Sequence, residues 1–167
     1  MAPFPPGKGG GEGVADGRKG QGLLIHSLTD AAGRPLSTRT TPANGDERAQ
    51  VIPLLDTLHV RTGKRGRPRK RLEVLTADQG DDATDLRRRL RHRGMRPQIP
   101  QRVWKNSKRR GRPMKKDVPR FQAERTLAWF QRKYRRLVVR WERLAVYVNA
   151  LLAMAMVHMW VQRLIVG

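Results

Sequence analysis

Residues 72–82 read LEVLTADQGDD. Leu72 to Ala77 is an apolar run of strand length, too short for a helix, and it ends at Asp78-Gln79-Gly80, where turn chemistry takes over. A buried strand that stops at a carboxylate fits an α/β domain, because ligand and metal sites in open α/β sheets lie outside the carboxyl ends of strands. Asp78 is therefore a candidate ligand for a divalent cation, fixed in place by the strand behind it. The DQGDD context equally suits an Asp that does no more than form a turn.

Working outward, Asp82 is expected to cap a helix whose buried face is Leu86 and Leu90 and which stops at Gly94. Arg96 to Val103 then makes a short strand, confined to an edge by Pro97 and Pro100. Toward the N-terminus, Leu23 to Leu28 and Pro35 to Thr41 form two strands of a hairpin around the turn sequence DAAG at 30–33. Residues 1–22, rich in Gly and Pro, read as an extended or loop segment. Asn44 or Asp46 caps a helix carrying Val51, Leu54, Leu55 and Leu58, and Pro53 argues for a late or irregular start.

From Arg120 onward the pattern is helical. Leu127, Phe130, Tyr134, Leu137, Val138, Trp141 and Leu144 step by three or four, while Arg125, Arg132, Arg135, Arg136, Arg140 and Arg143 fall on the other side. The spacing predicts one long helix to Arg143, passing into an apolar helix over 144–167. The element order predicts an α/β fold with a mixed sheet over residues 1–143 and a C-terminal helix packed on that domain or on a partner.

The 167 residues suffice for a modest core. Lys and Arg total 36 against 14 Asp and Glu, a net charge of +22. Such a field suits a polyanion, since basic side chains displace condensed counterions from phosphates. Double-stranded DNA is the first expectation, an anionic membrane surface the second, and a merely soluble basic protein the plainest alternative. The charge is concentrated: residues 102–143 carry 16 basic and 3 acidic side chains, and RTGKRGRPRKR at 61–71 carries seven basic side chains.

No Cys is present, which removes disulfides and thiolate metal sites. MAPFPPGKGGGEG at the N-terminus lacks the apolar stretch of a secretory signal. Residues 144–166 are long enough to span a bilayer, but Asn149, His158, Gln162 and Arg163 interrupt them, so a buried or interface helix is expected ahead of a membrane anchor. The expected location is the cytoplasm, at the nucleoid.

Glu124 is the second candidate acid. It falls in the first turn of the basic helix, where an acid ordinarily complements the helix dipole, yet Arg120 lies one turn before it. An acid flanked by phosphate-binding cations is what phosphoryl transfer on DNA requires. Arg65-Gly66-Arg67-Pro68 and Arg110-Gly111-Arg112-Pro113 both read RGRP. That sequence resembles the AT-hook core, whose Arg-Gly-Arg lies in a narrow minor groove. Two solvated loops that touch phosphate without sequence preference explain it equally.

Residues 120–143, RFQAERTLAWFQRKYRRLVVRWER, resemble a signature of insertion-sequence transposases of the DDE class, most closely the insertion sequence five family. GKGGGEG at 7–13, GRKGQGLLIHSLTDAAGRPL at 17–36, TPANGDERAQ at 41–50 and ADQGDD at 77–82 resemble the same family in the same order. The resemblance implies an RNase H-like fold, DNA transposition, two Mg²⁺ (or Mn²⁺) ions held by three acids, and a homodimer that holds two element ends. It assigns Asp78 as the second acid and Glu124 as the third, with Arg120 as a DNA contact. Arg125, Arg132 and Lys133 join it as DNA-binding candidates, together with Arg65, Arg67, Arg110 and Arg112.

Three departures stand out. Met1-Ala2-Pro3-Phe4-Pro5-Pro6 occupies the place of the family's Asp-Gly-Ser-Phe-Ser-Pro block, so Met1 stands where the first acid is expected. Gln79 and Asp81 replace the usual Lys and Tyr after the second acid. Asp117 and Gln131 fall where related transposases carry Tyr and Lys, with Arg132 and Lys133 close by. Asp16 is a poor substitute for the first acid because it sits in a Gly-rich segment. The expectation is a chain inactive alone in strand cleavage, with a non-catalytic DNA-binding protein using its RGRP loops as the alternative.

Overall fold

A computed structural model describes residues 11–17, 20–60, 63, 65–66, 72–101 and 121–165. The chain forms two compact units, one from residues 1–57 and 121–167, the other from 58–120. The mixed α/β composition expected from the sequence is present.

In the first unit, β1 (Ala15–Gly17), β2 (Gly20–Thr29) and β3 (Pro35–Pro42) form an antiparallel sheet in that order. The stretch expected to be loop up to residue 22 therefore contributes a strand, β1, and the start of β2. The β2–β3 hairpin is as expected from the sequence. Asp30 makes its turn: Oδ1 accepts from the backbone N–H groups of Ala32 and Arg34, both at 2.9 Å, and Gly33 takes the left-handed φ of 79° that the turn requires. Leu23, Leu24, Ile25, His26 and Leu28 are all buried, as befits a middle strand covered on both faces.

One face of this sheet receives α3 (Phe121–Lys133) and α5 (Ala145–Ile165). Ile25 packs there with Phe130, Leu137, Leu152, Ala155 and Met159. Two threonines of β3 reach α5, Thr38 donating to Met156 Sδ at 3.2 Å and Thr40 to Asn149 Oδ1 at 2.8 Å. The other face meets α1 (Val51–Asp56), which buries Ile52, Leu54 and Leu55. As Pro53 implied, α1 starts late, after a 3-10 turn at 48–50 whose Arg48 N–H donates to Asp46 Oδ1 at 3.0 Å.

The helix expected to run unbroken to Arg143 is divided. After α3, Tyr134 leaves helical geometry at φ −116°, ψ 83°, and a short α4 (Arg135–Val138) follows. The break has a cause in packing. Tyr134 Oη donates to the Ala155 carbonyl at 3.1 Å and lies 2.9 Å from His158 Nδ1, while its ring meets Phe130. Trp141 and Leu144, expected on the buried face, are exposed. Arg140, expected on the cationic face, is buried. α5 forms as expected and is long and apolar enough to cross a membrane. Its Val148, Leu152, Ala155 and Met159 are nevertheless buried.

In the second unit, β4 (Val74–Thr76) and β5 (Arg96–Gln98) pair in parallel, with α2 (Thr84–His92) as the crossover. Leu86 and Leu90 are buried as expected. Gly94, at φ 70°, ends the helix, and the Met95 N–H bonds back to the Leu90 carbonyl at 3.0 Å. Asp82 does not cap α2. The flanking residue Ala83 is extended, and Asp82 instead pairs with Arg87 at 2.8 Å, whose Nη2 donates to the Ile99 carbonyl.

Candidate functional site

Asp78 lies at the carboxyl end of β4, two residues past its last strand residue. Its backbone is extended (φ −75°, ψ 165°), and Oδ1 accepts from the Gln79 N–H at 2.6 Å, capping the 3-10 turn Gln79–Asp81. The side chain is exposed. Both readings of this residue are thus visible at once: it forms the turn, and it occupies the strand-end position where α/β folds bind ligands.

Glu124 sits exposed in the first turn of α3. The helix is anchored around it by its neighbours. Thr126, fully buried, donates its hydroxyl to the Gly33 and Gln122 carbonyls. Arg125 Nη2 donates to the Ala32 carbonyl at 2.9 Å, and its guanidinium lies 5.0 Å over the Trp129 ring. The hairpin turn is therefore docked on the start of α3. A Cβ at Gly33 would come within 2.9 Å of Gln122 Oε1, so only glycine fits there. Arg125, a candidate DNA contact, is thus engaged in holding the fold. Asp78 and Glu124 belong to different units.

Arg132 and Lys133 are exposed in the last turn of α3, and Lys133 bonds to Gln162 of α5. Arg65 is exposed at a bend beside Gly66, whose φ is 126°. Arg120, Arg67, Arg110 and Arg112 lie outside the described residues. Among the described residues, no three His, Cys, Asp or Glu side chains gather in a way that could hold a metal ion.

Two features escaped the sequence pattern. Arg140 is 3% exposed and donates to three carbonyls: Nε to Glu142, and Nη2 to Glu12 at 2.9 Å and Arg143 at 3.0 Å. Burial lowers its pKa, and the Glu142 and Glu12 carboxylates oppose that shift. Glu12 closes the same clasp, since its carboxylate accepts from the Ala145 N–H at 2.9 Å and so caps α5. The second feature is a cleft between α3, α5 and the start of β3, walled by Trp129 and Trp160. Its residues are scattered over 130 positions of sequence, and no local spacing marks them.

A basic α/β chain with a strand-end carboxylate and a helix-borne glutamate set among cations belongs in form with proteins that process polyphosphate backbones. The comparisons with known proteins make the class definite. Residues 3–160 match the family described as "Transposase DDE domain", and the chain belongs to that family. It is 39% identical over 124 residues to a Burkholderia cepacia protein designated a transposase for insertion sequence element IS402, an overlap of 74% of this chain and 56% of that protein. The chain thus spans about half the length of this relative. No solved structure matches it significantly.

Proposed function

We propose that this chain is part of the catalytic domain of an insertion-sequence transposase, built on an RNase H-like plan. It binds double-stranded DNA and belongs to the class that cleaves and transfers strands with divalent metal. The observation that carries this is Asp78: in a chain of the DDE family, a carboxylate stands at the carboxyl end of a strand in a β–α–β unit. Glu124 is the second acid of the proposed site. Arg132, Lys133 and Arg65 are the exposed phosphate contacts, with Arg120, Arg67, Arg110 and Arg112 joining them. Such a protein works in the cytoplasm, at the nucleoid.

The fit of a metal is incomplete. Mg²⁺ demands near-octahedral oxygen coordination, and the described residues gather no three-ligand cluster. No cleavage step is therefore routed through a metal, and the chain alone is proposed to bind DNA without cutting it. In two-metal phosphoryl transfer the ions stabilise the attacking and leaving oxygens.

The test uses the purified chain with supercoiled plasmid in Mg²⁺, Mn²⁺ or EDTA, and a labelled duplex titrated across a salt series. The expected result is duplex binding that weakens steadily with salt and nicking no greater than in EDTA. Metal-dependent nicking that disappears in Asp78→Asn would refute the inactivity. Absence of salt-sensitive binding would refute the DNA reading itself. The alternative, a non-catalytic DNA-binding protein using its RGRP loops, draws support from Arg65, exposed beside the open backbone of Gly66. It requires AT-rich competitor to outcompete GC-rich competitor of equal length.

A further inference from the structure

The cleft between α3, α5 and β3 encloses about 550 Å³, within the range that accepts a small ligand. Trp129 and Trp160 wall it, and the buried Met159 and Pro35 lie deepest. Trp160 is fixed by its indole N–H, which donates to the Pro35 carbonyl at 2.8 Å. Around the opening stand Arg34, Arg132, Lys133 and Arg163. Arg34 pairs with Asp30. Among the described residues no carboxylate pairs with Arg132, Lys133 or Arg163.

We propose that this cleft takes one unpaired nucleotide of a DNA strand, its base against the tryptophan walls and its flanking phosphates on the cations at the opening. The inference rests on the DNA-binding reading above. The surplus of positive charge selects an anion. The aromatic walls select one that carries a flat ring, because bases stack on indole and guanidinium planes without regard to sequence. The guanidinium planes are already aligned: Arg163 lies 5.5 Å over Trp129 and Arg34 lies 5.1 Å over Trp160.

Paired DNA does not satisfy the cleft. A duplex keeps its bases stacked inside and turns phosphates outward, so it meets only the cations at the opening. A base that reaches Met159 has left the stack. An unpaired nucleotide can come from an extrahelical base within a duplex or from a single-stranded end, and both offer the same chemistry.

The experiment measures fluorescence anisotropy of the full chain with four labelled duplexes of one sequence. One is fully paired, one has a single bulged base, one has a short 3′ overhang, and one has an abasic site in place of the bulged base. We expect the bulged or the overhanging duplex to bind roughly tenfold more tightly than the paired one, the gain of one stacked base. The abasic site should remove that gain. In Arg163→Gln, and in Trp160→Phe as a second variant, the ratio of unpaired to paired affinity should fall toward one while the thermal midpoint confirms folding. A gain confined to the bulge identifies an extrahelical base, and one confined to the overhang identifies a strand end. Equal binding of all four duplexes overturns the cleft and leaves DNA binding intact. Failure to bind any of them overturns both.

Discussion

Replacing Arg140 by Met tests whether this cation holds the fold or meets DNA. Its guanidinium is buried and donates to the carbonyls of Glu12, Glu142 and Arg143, joining a segment near the N-terminus to the turn before α5. A hydrogen bond with a charged partner contributes roughly 1.5–3 kcal/mol. Three such bonds do not add fully, because Arg143 is exposed and water can replace part of what is lost. Nη1 is also buried with no partner among the described residues, and removing it returns some of that cost. The net loss should be about 2–4 kcal/mol. For a chain of this size that lowers the unfolding midpoint by about 5–15 °C. Circular dichroism melts of wild type and Arg140→Met measure it, with Arg136→Gln, an exposed cation, as the control. DNA affinity measured well below both midpoints should change little. A variant with an unaltered midpoint and a large loss of DNA affinity would refute the clasp and return Arg140 to the DNA-facing set.

Two more outcomes follow from the packing. His26 is buried, and its Nε2 lies 2.7 Å from Thr41 Oγ1; burial lowers its pKa, with Arg39 adding to the shift and Glu47 opposing it. Its imidazole is neutral in both states above the unfolded pKa of about 6.5. Below that the unfolded chain gains a proton that the folded chain resists, so stability should fall with pH until the folded pKa is passed, with a slope approaching ~1.4 kcal/mol per pH unit. Chemical denaturation between pH 7.5 and 5 checks this, and His26→Gln should flatten this part of the profile. On α5, Tyr147, Ala150, Met154, Val157, Val161 and Leu164 are exposed at alternating spacings of three and four, the seam of a two-helix coiled coil. We expect sedimentation to give a dimer for the wild type and a monomer for Met154→Glu with unchanged helicity; a monomeric wild type would exclude this seam.

What the sequence revealed depended on the range of the interactions involved. The β2–β3 hairpin was legible because Asp30 and Gly33 act within a few residues of each other. The strand ending at Asp78 was legible because its apolar run and its turn are adjacent. The break at Tyr134 was hidden, because the three-and-four spacing of apolar residues continues across it while its cause lies on α5, more than 20 residues on. Arg125 and Arg140 look alike in sequence to Arg132, yet both are held by carbonyls more than 90 residues away. Asp82 looked like a helix cap, but Arg87 on the next turn offered it a partner sheltered from water. Asp78 and Glu124 were proposed from a pattern and a resemblance, and their location in separate units follows from the tertiary fold alone.

The first unit is assembled from the two ends of the chain, with residues 58–120 interposed. During synthesis its three strands leave the ribosome well before the helices that cover them. Between Pro42 and Phe121 lie 78 residues, which at ordinary elongation rates take about 4–16 s. For that interval the face of β2 bearing Ile25 has no α3 or α5 to pack against, and a nascent sheet with a bare apolar face is open to capture by chaperones or by another unfinished chain. The yield of soluble protein should therefore depend on how quickly the ribosome moves through the arginine-rich middle of the message.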